Sequence, residues 1–116
     1  MEADMKRFTA EHGTVSHGTL NPEHLIRRFM DTLDELKESE SLSKYPNVAR
    51  YARIDARLAN MERRMAKPDY YESEEADWDL EELFELLSEY APDGCYFGAH
   101  VGDGADFGFW MDDDSE

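Results

Sequence analysis

No lysine or arginine occurs after Lys67, so residues 68–116 of this 116-residue chain carry no fixed positive charge. There is a single cysteine, Cys95, which excludes an internal disulfide and points to a reducing compartment. No stretch approaches the roughly 18 consecutive apolar residues that a bilayer-spanning helix needs. The opening MEADMKRFTAEHGT has early acids and no apolar run, unlike a secretory signal or a membrane anchor. No serine elbow occurs, and neither zinc-site nor EF-hand spacing is present. These absences argue against membrane proteins, disulfide scaffolds and the commonest motif-bearing enzymes.

What is present is a globular composition. The chain is 41% apolar with fourteen aromatic residues, and its length suits one domain spanning 1–116. A chain of this size buries roughly two thirds of its unfolded surface. Net charge is −16, and it is segregated. Residues 1–67 hold all twelve Lys and Arg against eleven acids, whereas residues 68–116 hold seventeen acids. Adaptation to high salt would spread acids along the whole chain. An acidic region of this kind repels nucleic acid and anionic membranes and favours basic protein surfaces or cations.

Residues 1–20 are polar and glycine-punctuated and read as flexible, with room for one short strand. Asn21 as cap and Pro22 at the first helical position open a helix to about Lys37, with Leu25, Ile26, Phe29, Met30, Leu33 and Leu36 on one stripe. Glu38–Lys44 reads as a polar loop. A second helix is expected from about Pro46 to Ala66, stopped before Pro68. Its apolar stripe is Val48, Tyr51, Ile54, Leu58, Met61 and Met65. A basic stripe of Arg50, Arg53, Arg57, Arg64 and Lys67 lies about a quarter turn away. A third helix is expected from about Glu74 to Tyr90, capped by Ser73, with Trp78, Leu80, Leu83, Phe84 and Leu87 facing inward. Cys95–His100 and Asp106–Trp110 then read as a β-hairpin around a glycine-rich turn. Gly98 and Gly108 interrupt its strands, which implies close approach of a backbone or a ring. Residues 112–116 read as a flexible tail. The fold class is α+β: three helices packed with a C-terminal hairpin, and a further N-terminal strand would fit.

The third helix carries the most unusual pattern. Asp77, Glu81, Glu85 and Glu89 recur every four residues, and each such like-charge pair costs roughly 0.2–0.5 kcal/mol on an isolated helix. Glu82 adjoins them. With Glu74, Glu75 and Asp79 there are eight acids and no base across residues 74–90. The axial density is about one charge per 3.2 Å, close to the roughly 3.4 Å of one DNA strand. The alternative is a solvated face, or one neutralised by the basic stripe of the second helix. Seven bases in residues 44–67 cannot pair seventeen acids.

The hairpin carries residues that suggest other chemistries. Cys95 and His100 are five apart and face opposite sides of a regular strand, against a nucleophile–base pair. The glycines lack phosphate-loop spacing and a lysine. Asp103 and Asp106 could hold Ca²⁺ with turn carbonyls. His12, His17, His24 and His100 match no zinc spacing, and His100 with Asp103 and Asp106 would be the set for a metal-dependent enzyme. No catalytic, cofactor or metal residues are assigned on this pattern, and a non-enzymatic protein is expected.

Two stretches carry a resemblance: Ser16–Leu20 leading into Pro22–Ile26, and Tyr96–Trp110 with the run YFGAHVGDGADFGFW. Over about a quarter of the chain they resemble small uncharacterised proteins of bacteriophages and bacterial mobile DNA. The resemblance implies an accessory protein in a bacterial cytoplasm. In that setting an acidic protein is expected to bind and inhibit a basic nucleic-acid-binding host protein, in the manner of anti-CRISPR or anti-restriction inhibitors that mimic nucleic acid. Asp77, Glu81, Glu82, Glu85 and Glu89 are the expected contact residues, with no direct nucleic acid, membrane or cofactor involved. The alternative is an assembly protein that self-associates through the aromatic hairpin, for instance as a homodimer.

Overall fold

The computed structural model describes residues 8–11, 13–100 and 102–111. The expected flexible tail, 112–116, and residues 1–7 and 12 of the expected loose N-terminal segment lie outside these residues. The elements follow in the order β1 (Gly13–His17), α1 (Pro22–Ser41), α2 (Val48–Met65), a 3-10 turn (Tyr70–Glu72), α3 (Glu74–Ser88), β2 (Cys95–His100) and β3 (Asp103–Met111). The three strands form one antiparallel sheet in the order β1-β3-β2. The fold is α+β, with the C-terminal hairpin extended by an N-terminal strand.

Local chemistry sets the helix starts. The Asn21 side chain accepts from the Glu23 amide at 2.8 Å, and Pro22 occupies the first turn. Asn47 caps α2 by accepting from the Arg50 amide at 3.0 Å. Ser73 sits at the cap position of α3, but its hydroxyl donates to the Tyr70 carbonyl at 2.6 Å rather than accepting from the helix. The 3-10 turn thus takes the hydroxyl that the sequence offered to the helix end. Two boundaries differ from expectation. α1 continues one turn beyond Lys37, through residues expected to form a loop. β3 begins at Asp103, so the hairpin turn is shorter than the glycines suggest.

α1 packs against both other helices and β1, and α3 packs against β2. Phe29 is the hub of the core. It is fully buried and meets Phe84 of α3, Phe97 of β2 and Phe107 of β3 edge-on at ring distances of 5.3, 5.2 and 5.9 Å. Leu25, Ile26 and Leu33 of α1 join Ile54, Leu58 and Met61 of α2, and Leu83, Leu86 and Leu87 of α3. Val48 is exposed and falls outside the apolar stripe expected for α2.

Gly98 and Gly108 are partners across the hairpin, and each faces a different neighbour. A β-carbon on Gly108 would stand 2.1 Å from the carbonyl oxygen of Gly13 at the start of β1. One on Gly98 would stand 3.3 Å from the Tyr96 ring. β1 is held against β3 by pairs such as Thr14 with Gly108 and His17 with Asp106, with an irregularity between Thr14 and Ser16. Arg28 of α1 donates to the Val15 carbonyl there at 2.7 Å, which ties the irregular strand to the helix layer. Gly108→Ala is therefore expected to cost about 1–3 kcal/mol, because backbone rather than a movable side chain must give way. It should also speed amide exchange at residues 13–17. Gly98→Ala should cost less, since the Tyr96 ring can shift. Urea midpoints with hydrogen exchange check this, and two variants of equal stability would contradict the account.

Candidate functional site

Every member of the basic stripe on α2 finds an acid. Arg50 meets Glu40 at 2.8 Å, Arg53 meets Glu89 at 2.6 Å, Arg64 meets Asp79 at 2.5 Å and Lys67 meets Glu75 at 3.2 Å. Arg57 pairs with Glu82. Four of these five pairs join residues 50–67 to α3 and its C-cap. They divide the eight acids of residues 74–90 into two sets. Glu75, Asp79, Glu82 and Glu89 turn toward α2. Glu74, Asp77, Glu81 and Glu85 are exposed and make no ion pair among the described residues.

Helix geometry explains why the expected stripe separates. Steps of four residues overshoot a turn by about 40° each, so Glu89 lies about 120° around the axis from Asp77. Asp77, Glu81 and Glu85 remain on the outer side, whereas Glu89 reaches Arg53. Glu82, one residue from Glu81, faces Arg57. Free charge over residues 74–90 therefore falls to about one per 6.4 Å, half the density expected from composition. Glu74 and Asp77 lie in the first turn, where the helix dipole favours acids. Glu81 and Glu85 have no such compensation.

Two of the paired acids are buried inside the helical layer. Glu40 is 0% exposed, and Asp79 is 3% exposed. Glu40 accepts from the Arg50 guanidinium, from the Tyr90 hydroxyl at 2.7 Å and from the Asn47 amide at 3.0 Å. Arg50 lies over the Tyr90 ring, 4.4 Å from its centroid, and also donates to the Glu89 and Phe8 carbonyls at 3.1 and 3.2 Å. Asp79 accepts two bonds from Arg64, at 2.5 and 3.0 Å, and one from the Tyr70 hydroxyl at 2.7 Å. Burial pushes the Glu40 carboxyl up, but the bonds from Arg50, Tyr90 and Asn47 outweigh it and hold it below the usual carboxylate range. Burial, then the carboxylate that each hydroxyl serves, raises Tyr70 and Tyr90 well above ordinary tyrosine.

Trp78 departs from its expected inward position and is 62% exposed. The core position in that turn belongs to Asp79, about 100° further round the helix. Trp78 is therefore carried to the outer side, one turn from both Glu74 and Glu81.

The hairpin turns Phe97, Phe107 and Phe109 into the core, so these rings do not form a surface patch. Its outer aromatics find partners within the hairpin. Trp110 donates to the Gly98 carbonyl at 3.1 Å, and the His100 ring meets Trp110 edge-on at 4.8 Å. His100 also accepts from the Gly102 amide at 2.9 Å. His24 is hydrogen-bonded with Thr19 at 3.1 Å. His12 lies outside the described residues. The histidine that does join Asp103 and Asp106 is His17, brought there by the pairing of β1 with β3. A groove between α1 and α2 is lined by Asp34, Lys37, Glu38 and Asp55, and its Lys37 is held by Asp55 at 2.6 Å.

The buried pairs yield a prediction. Arg50→Met leaves Glu40 buried without its cation and should cost about 3–5 kcal/mol, whereas Glu40→Leu combined with Arg50→Met should restore part of the loss, the rest being the bonds that the Tyr90 hydroxyl, the Asn47 amide and the Glu89 and Phe8 carbonyls lose. Because the folded-state pKa of Glu40 is lowered, its contribution is complete above the ordinary carboxylate pKa and disappears as pH falls through the lowered value. For Tyr70 and Tyr90 the raised values reverse the sign: their contribution holds below about pH 10 and falls above it. Chemical denaturation of the single and double variants across pH measures both effects. A double variant as unstable as Arg50→Met would contradict this role.

Comparison with known proteins finds no matching family model, no matching curated protein and no matching solved structure.

Proposed function

We propose that this chain is a non-enzymatic binding protein whose outer α3 face docks on the basic surface of a nucleic-acid-binding protein and blocks that surface. The observation that carries the reading is the split of the α3 acids. Glu74, Asp77, Glu81 and Glu85 repel one another and stay outside the pairing that satisfies Glu75, Asp79, Glu82 and Glu89. Trp78 stands among them, mostly exposed. An exposed tryptophan ringed by charge has the composition of an interface anchor: the ring supplies apolar area on desolvation, and the acids set register and steer the approach. The contact set is thus Asp77, Trp78, Glu81 and Glu85, while Glu82 and Glu89 hold the helix in place.

The resemblance to phage and mobile-element proteins supplies the setting, a bacterial host whose nucleic-acid-binding defences present basic grooves. Inhibition of the anti-CRISPR or anti-restriction type follows from occupying such a groove. The halved density of free charge favours capture by charge and an aromatic anchor over close imitation of a phosphate strand. Among the described residues no helix is long and apolar enough to cross a membrane.

The test immobilises the parent chain beside Glu81→Lys/Glu85→Lys and Trp78→Ala variants in bacterial lysate. Any retained nucleic-acid-binding protein is then assayed for DNA or RNA binding with each variant added. The parent should displace nucleic acid and lose affinity steeply with salt. Charge reversal should weaken binding by on the order of 100-fold, about 3 kcal/mol. A partner held equally by parent and reversed chain, or one whose nucleic acid is not displaced, contradicts the proposal. Retention that instead depends on a second copy of this chain would favour self-association.

A further inference from the structure

We propose that His17, Asp103 and Asp106 form a binding site for a divalent transition-metal ion, with Zn²⁺ as the best fit. Strand pairing builds the site. His17 of β1 is the register partner of Asp106 of β3, and Asp103 opens β3. The next residue along continues the pairing, with the Gly18 amide donating to the Ala105 carbonyl at 3.0 Å. The donors therefore come from backbone fixed on both sides, rather than from one loop.

The spacing suits an ion. His17 Nε2 and Asp103 Oδ2 stand 3.2 Å apart, and all three donor atoms lie within 4.8 Å of one another. A Zn²⁺ ion with ligands at about 2.0–2.1 Å in tetrahedral geometry spaces its donors about 3.3 Å apart. The first pair already matches that edge, and Asp106 needs to close by roughly 1.5 Å at most, within reach of a side-chain rotation. The Thr14 hydroxyl donates to Asp106 Oδ1 at 2.9 Å. It steadies that carboxylate from outside the set and leaves the other oxygen available.

Charge and donor type select the ion class. Neither Asp103 nor Asp106 meets a lysine or arginine among the described residues, so two negative charges face one imidazole. The Ala105 amide donates to Asp103 Oδ1 at 3.0 Å, which fixes that carboxylate while its Oδ2 faces His17. The imidazole nitrogen distinguishes this set from the exposed acids of α3. It favours Zn²⁺ and similar ions over Ca²⁺ and Mg²⁺, which prefer all-oxygen shells. Three protein ligands on an exposed sheet surface leave at least one position for water. The site is independent of the α3 face.

Calorimetric titration of chelator-treated protein with ZnCl₂, with CaCl₂ and MgCl₂ as comparators, tests the assignment. The expected result is one Zn²⁺ per chain and a higher melting temperature on loading. His17→Ala, His17→Gln and Asp103→Asn should each weaken Zn²⁺ binding by about tenfold or more. His24→Ala should leave it unchanged. Since His17 and Asp103 are exposed, circular dichroism should show these variants folded. The proposal is overturned if Zn²⁺ fails to saturate a single site, or if the His17 variants bind as the parent does. The latter result would assign binding to the diffuse acidic surface.

Discussion

Glu40 and Asp79 occupy positions that helical periodicity reserves for apolar side chains, and an unpaired carboxylate buried there costs several kcal/mol. Much of the helical layer is arranged around meeting that cost. α2 supplies one arginine near each of its ends, Arg50 to Glu40 and Arg64 to Asp79. A tyrosine completes each group, Tyr90 beyond α3 and Tyr70 in the turn before it. Arg50 also gathers the carbonyls of Phe8 and Glu89, so one guanidinium joins α1, the N-terminal segment and the end of α3. Breaking one partner leaves a stranded charge, which makes the arrangement specific about how the three helices dock.

The same requirement shapes the surface. With α2 fixed by its ends, Arg53 and Arg57 fall opposite Glu89 and Glu82. Each pair is partly exposed and contributes little stability alone. Their consequence is spatial, since they use up the acids on the inner flank of α3 and leave the outer set without cations. Trp78 reaches solvent for a related reason: Asp79 holds the core position beside it. The exposed Trp78 ring and the free acids thus both trace back to buried carboxylates and the arginines that meet them.

Much of this was legible in the sequence. Caps at Asn21 and Pro22, the apolar stripe through Phe29 and the alternating hairpin fixed three helices and two strands, because local periodicity and capping decide them. Gly98 and Gly108 announced close neighbours, although the identity of each neighbour depended on tertiary contact. Glu40 was hidden because a charged residue at the end of an apolar stripe looks like the start of a loop. Trp78 was misplaced because an aromatic next to Leu80 and Leu83 reads as core when the true core residue is an aspartate. The junction of His17 with Asp106 depended on β1 joining the far edge of the hairpin, and no local signal specifies that pairing.

Carbodiimide labelling of carboxyl groups, followed residue by residue with mass spectrometry, measures the division of the acids without any partner. Glu74, Asp77, Glu81 and Glu85 should react fastest. Glu75, Glu82 and Glu89 should react more slowly, and Glu40 and Asp79 should stay protected until the chain unfolds. Labelling of Glu82 and Glu89 as fast as that of Glu81 and Glu85 would show that α2 does not pair with α3 in this way, and would contradict the account.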